Sequence, residues 1–155
     1  MRGCAIVALA CLLPGVALAQ AEGAARIIDG ATLEIAGQRF RLSGIVAPAL
    51  DQVCERMGRP YPCGRVARAE LWDVIGGRDV SCTPLAAAGG DGPALATCTA
   101  GGASLAEAMV ASGWALAERA AGEAYVALEQ AAEQAGRGLW SGEFTLPGIA
   151  REPAE

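Results

Sequence analysis

The stretch RIIDGATLEIAGQRFRLSGI, Arg26 to Ile45, decides the fold. Leu33 and Ile35 alternate with Thr32 and Glu34, and Phe40 and Leu42 alternate with Arg39 and Arg41, which is the period of half-buried strands. Asp29-Gly30 and Ala36-Gly37 stand where tight turns belong. The reading is a three-stranded meander with Arg39 and Arg41 on one solvated face, opposite Phe40 and Leu42. Asp29 is expected as a turn residue, because an Asx side chain there caps its own backbone.

Downstream, residues 47 to 62 hold Pro48, Pro60 and Pro62 and read as a long constrained loop. A helical period follows: Ala67, Leu71, Val74 and Ile75 share a stripe, and Gly76-Gly77 stops it. Asp79 to Pro84 and Ala94 to Thr99 read as strands joined by an Ala/Gly-rich linker. Ser104 and Glu107 form a capping-box pattern for a helix ending at Gly113. Trp114-Ala115-Leu116 reads as a short extended piece. Tyr125, Leu128, Ala132 and Ala135 then mark a last helix, and Trp140 and Phe144 are expected to fold back onto the barrel. Trp72, Trp114 and Trp140 are expected in packing roles. The order of elements describes an α+β, mainly β domain: a five-stranded barrel with about three flanking helices.

Upstream, Arg2, an apolar run from Ala5 to Leu18 and Ala17-Leu18-Ala19 before Gln20 have the form of a secretory signal cleaved after Ala19. Lipid anchoring at Cys11 is the weaker alternative, and the run is shorter than the roughly 20 residues that span a bilayer. Residues 1–19 are thus read as leader, 20–148 as one domain and 149–155 as a disordered tail, in a periplasmic or secreted monomer.

The basic residues are all Arg, 12 against 17 Asp and Glu, with no His, for a net charge of −5. That sign opposes a phosphate backbone, so nucleic acid is disfavoured as a partner; a protein or a small ligand is expected instead. Cys4 and Cys11 fall in the leader. Cys54, Cys63, Cys82 and Cys98 remain, and four thiols in an exported domain read as two disulfides with three possible pairings. Cys54 with Cys63 would clip a short loop, while Cys82 and Cys98 lie on two apolar segments suited to neighbouring strands. Zinc is disfavoured by the wide spacings and the lack of His.

Arg26-Ile27-Ile28-Asp29-Gly30-Ala31-Thr32-Leu33 resembles VxDGDTL, and Arg41-Leu42-Ser43-Gly44-Ile45-Val46-Ala47-Pro48-Ala49 resembles RLxGIDAPE, both motifs of the staphylococcal nuclease (thermonuclease) family. Tyr61-Pro62-Cys63-Gly64, Gly113-Trp114-Ala115-Leu116-Ala117 and Gly138-Leu139-Trp140 resemble further pieces of exported bacterial members, in the same order. The resemblance implies an OB barrel with three helices. It also implies calcium-dependent phosphodiester cleavage by two metal-binding Asp, a Glu that activates water and two Arg that neutralise the phosphate.

Carried over position by position, Ala31 and Val46 stand where the resemblance puts the metal Asp residues, and Ala49 stands where it puts the Glu. Pro93, in Asp91-Gly92-Pro93-Ala94, stands for the second Arg, and Arg41 alone is retained. Hydrocarbon side chains offer calcium no lone pairs, so no cofactor is expected. Removing one fixed transition-state stabiliser costs about two to three powers of ten in rate, though such losses do not add. The expectation is a nuclease frame without its chemistry, serving in binding or structure, with a weak or divergent nuclease as the alternative. Asp51, Glu118 and Arg119 are expected as surface residues, and Arg41 as an anion contact or the partner of a neighbouring Glu such as Glu34.

Overall fold

The computed structural model describes residues 20–85, 92–119 and 122–146, so residues 1–19, expected as leader, Asp91, and residues 149–155, expected as tail, lie outside the described residues. In chain order the strands are β1 (Ala21–Gly23), β2 (Ala25–Ile27), β3 (Thr32–Ile35), β4 (Gln38–Leu42), β5 (Ile45–Val46), β6 (Cys54–Arg56) and β7 (Arg59–Tyr61), then β8 (Val80–Pro84), β9 (Ala94–Ala100), β10 (Ala103–Ser104) and β11 (Leu116–Ala117). The helices are α1 (Cys63–Ile75), α2 (Leu105–Ala111) and α3 (Glu123–Gln134), followed by a 3-10 turn, Gly138–Ser141.

The meander is β2-β3-β4, antiparallel, with Leu33 opposite Phe40 and Glu34 opposite Arg39. Its second turn places Ala36 and Gly37 at φ 51° and 82°, the left-handed pair that a two-residue hairpin requires. β4 runs parallel to β9, β9 antiparallel to β8, and β8 antiparallel to β1. Because β1 and β2 are one strand interrupted at Ala24, the first half pairing with β8 and the second with β3, the sheet closes on itself. Five strands closed in this order, with one parallel pair, are the OB barrel. The parallel β4–β9 pair needs a long crossover, and α1 lies within it.

Phe40, Leu33, Leu42, Ile45, Leu71, Leu105 and Met109 are fully buried in the barrel core, each worth about 1.5–3 kcal/mol of transfer free energy. The stripe of α1 does what its period predicts: Leu71 and Ile75 belong to this core, Val74 packs against it and Ala67 is buried. In α2 the Ser104 hydroxyl accepts the Glu107 N–H at 3.3 Å, the cap the sequence indicates.

Three expectations are corrected. Residues 47 to 62 are not all loop: β6 and β7 form a hairpin, turning at Met57 and Gly58 with φ 52° and 70°. Its strands are short and polar, with Pro60 inside one, so no alternation marks them. Second, Trp140 and Phe144, edge to face at 5.4 Å, pack over a separate cluster of Cys54, Cys63, Leu116, Leu139 and Leu146 rather than on the barrel. Third, Trp72 is 62% exposed rather than packed.

The disulfides are Cys54–Cys63, closing the hairpin, and Cys82–Cys98, joining residues directly opposite on β8 and β9. They point to an oxidising environment. Among the described residues no helix is long and apolar enough to cross a membrane.

Candidate functional site

The turn after β2, the end of β4 and the segment after β5 meet at one mouth of the barrel. Ala31 is held from both sides: its N–H donates to Asp29 Oδ1 at 2.8 Å, and its carbonyl accepts the Leu42 N–H at 2.8 Å. Asp29 is therefore the Asx turn residue expected of it. Gly30 is wedged between α1 and the post-β5 segment. A Cβ added there would lie 2.9 Å from that of Ala67 and 3.0 Å from that of Ala47, so only glycine lets the two segments approach this closely. A second contact of this kind fixes Ala49, whose carbonyl sits where a Cβ on Gly64 would be.

Arg41 lies on the outer face of β4, opposite Thr32 on β3 and Leu95 on β9. Pro93 is exposed just before β9 and brings no cation to that edge. β5 pairs with β11, Val46 opposite Leu116, and the Glu118 N–H continues the ladder to the Gly44 carbonyl at 2.9 Å. That ladder delivers the Glu118 carboxylate to Arg41, Oε1 to Nη2 at 3.9 Å, with both side chains nearly half exposed. Such a pair contributes between about 0 and 1 kcal/mol, so it orients Arg41 weakly.

Arg41 does not pair with Glu34, which is taken by two other cations. Arg26 Nη2 lies 2.7 Å and Arg39 Nε 3.5 Å from Glu34 Oε2. Register decides this, because Glu34 stands opposite Arg26 on β2 and Arg39 on β4, while Arg41 is one pleat further on. The hydrogen bond from Arg26 holds the Glu34 carboxyl below its ordinary value, and the same contact raises Arg26. Glu118 is the site neighbour that the sequence does not reveal. It is more than seventy positions from Arg41 in the chain, and only the β5–β11 pairing brings the two together.

Beside Ala49 an open cleft of about 860 Å³ runs between the segment before β6 and the chain after the 3-10 turn. Asp51, Glu55 and Glu143 line it with Val53 and Phe144. Asp51 is exposed, as expected, and these carboxylates do not converge. Among the described residues no group of three His, Cys, Asp or Glu is placed to hold a metal.

A closed OB barrel with a helix in its crossover, and a mouth built from the turn after β2 and the segment after β5, defines the class to which the chain belongs. A model of the staphylococcal nuclease homologue family matches residues 39–142, and the chain is a member of that family. The match includes Arg41, Val46, Ala49 and Pro93; Ala31 precedes it. The succinoglycan biosynthesis protein ExoI of Rhizobium meliloti (strain 1021) is 30% identical over 121 residues, covering 76% of this chain. The chain spans 63% of that relative's length.

Proposed function

We propose that this domain is a nuclease-fold protein that does not cleave phosphodiester bonds and acts by binding or by structural association. The observation that carries the reading is the chemistry of the mouth. Ala31, Val46 and Ala49 present methyl and isopropyl groups at the positions where the family resemblance puts carboxylates. Calcium takes six to eight oxygen ligands. The carboxylates nearest in the chain and the ladder are Asp29, with Oδ1 occupied by the Ala31 N–H, Asp51, exposed on the cleft beside Ala49, and Glu118, beside Arg41. That donor set does not fit the ion. A hydrolytic water has no base at Ala49, and charge building on a phosphate would meet Arg41 alone.

A second reading, a weak or divergent nuclease, draws on the Arg41–Glu118 pair, a cation and a carboxylate side by side at the mouth. Purified oxidised protein incubated with single-stranded DNA and calcium separates the two. The proposal expects no cleavage above that of an Arg41→Ala variant. Cleavage by the native chain that disappears in this variant would favour the nuclease.

The proposed setting is the periplasm or the cell exterior, supported by the two disulfides and by the leader-like residues 1–19. The name of the relative adds succinoglycan biosynthesis as a context in which a non-cleaving member could work.

A further inference from the structure

The outer face of α1 carries a second stripe, which the core does not use. Arg65, Arg68, Ala69 and Trp72 recur at i, i+3, i+4 and i+7, so they line up on one side of the helix, away from the buried Ala67, Leu71 and Ile75. Trp72 is 62% exposed, whereas Trp114 and Trp140 are part-buried. The small Ala69 leaves a hollow beside the indole, and Arg26 and Ile27 of β2 form its opposite wall; the space is about 340 Å³. This is at the lower end of the roughly 300–1,000 Å³ of small-ligand sites.

The cations around the hollow are not equivalent. Arg26 is committed to Glu34 at 2.7 Å. Arg68 Nε donates to the Ile27 carbonyl at 3.2 Å, which fixes its guanidinium across the hollow and leaves its other N–H groups available. Arg65 is exposed, and among the described residues no carboxylate lies within ion-pair distance of it or of Arg68. Asp73, on the rim, offsets part of their charge. The balance is close to one positive charge, on two forked donor groups beside one open aromatic face.

We propose that this hollow binds a saccharide bearing a carboxylate, such as a uronic acid unit. The C–H face of the pyranose would lie on the electron-rich face of Trp72, and the carboxylate would take paired N–H donors from Arg65 and Arg68. A single carboxylate matches the local charge. A nucleic acid, with a charge on every nucleotide, meets the opposing net charge of −5 over the whole chain. A peptide adding along β2 would need the Ile27 carbonyl, which Arg68 already occupies. None of these residues belongs to the barrel mouth, so the proposal stands whether or not the mouth cleaves.

The test is titration of the oxidised full chain with an aldobiouronic acid, one glucuronate linked to one neutral sugar, followed by tryptophan fluorescence and calorimetry, with its methyl ester and oligo(dT) as parallel probes. The expected result is saturable, salt-sensitive binding that weakens about tenfold with the ester, with Arg65→Gln and with Trp72→Ala. Because Trp72 and Arg65 are exposed, the thermal midpoints of both variants should match the native one, which separates lost binding from lost folding. No binding of the aldobiouronic acid by the native chain, or binding unchanged in folded Trp72→Ala, would overturn the proposal. Oligo(dT) binding more tightly through the same two residues would also overturn it, by marking a phosphate site.

Discussion

Restoring carboxylates at the mouth is the most informative perturbation of this fold. Ala31 is 5% exposed and touches the main core, and Asp29 stands two residues away with its own carboxylate already bonded to the Ala31 N–H. The cation of the mouth, Arg41, already faces Glu118 at 3.9 Å, so an Ala31→Asp/Val46→Asp variant adds two negative charges that this one guanidinium does not offset. An uncompensated buried charge costs about 3–5 kcal/mol. Since the mouth is partly open, a loss of about 2–4 kcal/mol is expected in chelator, out of the roughly 5–15 kcal/mol that holds a domain together. Calcium at ten times its dissociation constant would return about 1.4 kcal/mol, and for a domain of this size that raises the melting midpoint by about 5 °C. The assay is thermal unfolding followed by circular dichroism, with and without calcium, on both proteins. The native midpoint should not move with calcium. A native midpoint that rises as far as the variant's would mean that the donors are already present. A variant as stable as the native chain in chelator, or indifferent to calcium, would mean that positions 31 and 46 do not face a common site.

Three further outcomes follow from particular contacts. Replacing either disulfide by an Ala pair should lower unfolding free energy by about 3 kcal/mol in the chain-entropy model, since the sequence separations are 9 and 16; denaturant melts of Cys54→Ala/Cys63→Ala and Cys82→Ala/Cys98→Ala check this. Gly64→Ala should cost about 1–3 kcal/mol by overpacking, because its Cβ would overlap the Ala49 carbonyl; an unchanged melting midpoint would argue that this segment yields freely. Glu34 ionises more easily in the folded state than its ordinary value of 4.5. Its contribution is complete above that value and is lost as pH falls through the depressed one, so Glu34→Gln should flatten this part of the acid limb of stability against pH.

The barrel was legible because its strands alternate cleanly. Leu33, Ile35, Phe40 and Leu42 are all buried, the turns at Asp29 and Ala36-Gly37 form, and Cys82 meets Cys98 across β8 and β9. The β6–β7 hairpin was not legible, because its strands carry Glu55, Arg56, Arg59 and Pro60 and are held by a disulfide instead of a buried face. The surroundings of Arg41 were legible only in part. That it lies on an exposed face follows from the period, but its partner depends on register: Glu34 was nearer in sequence, whereas β5–β11 pairing supplies Glu118. Trp72 went wrong for another reason. A large aromatic is usually packed, yet its position on α1, one residue beyond Leu71, turns it out of the core stripe.

The central claim is that the barrel mouth lacks the oxygen donors a calcium ion needs, and calorimetric titration of calcium chloride into the native oxidised protein measures this most directly. The account predicts heats no larger than dilution across the millimolar range. Stoichiometric uptake of one ion per chain, abolished by Asp29→Asn or Glu118→Gln, would contradict it.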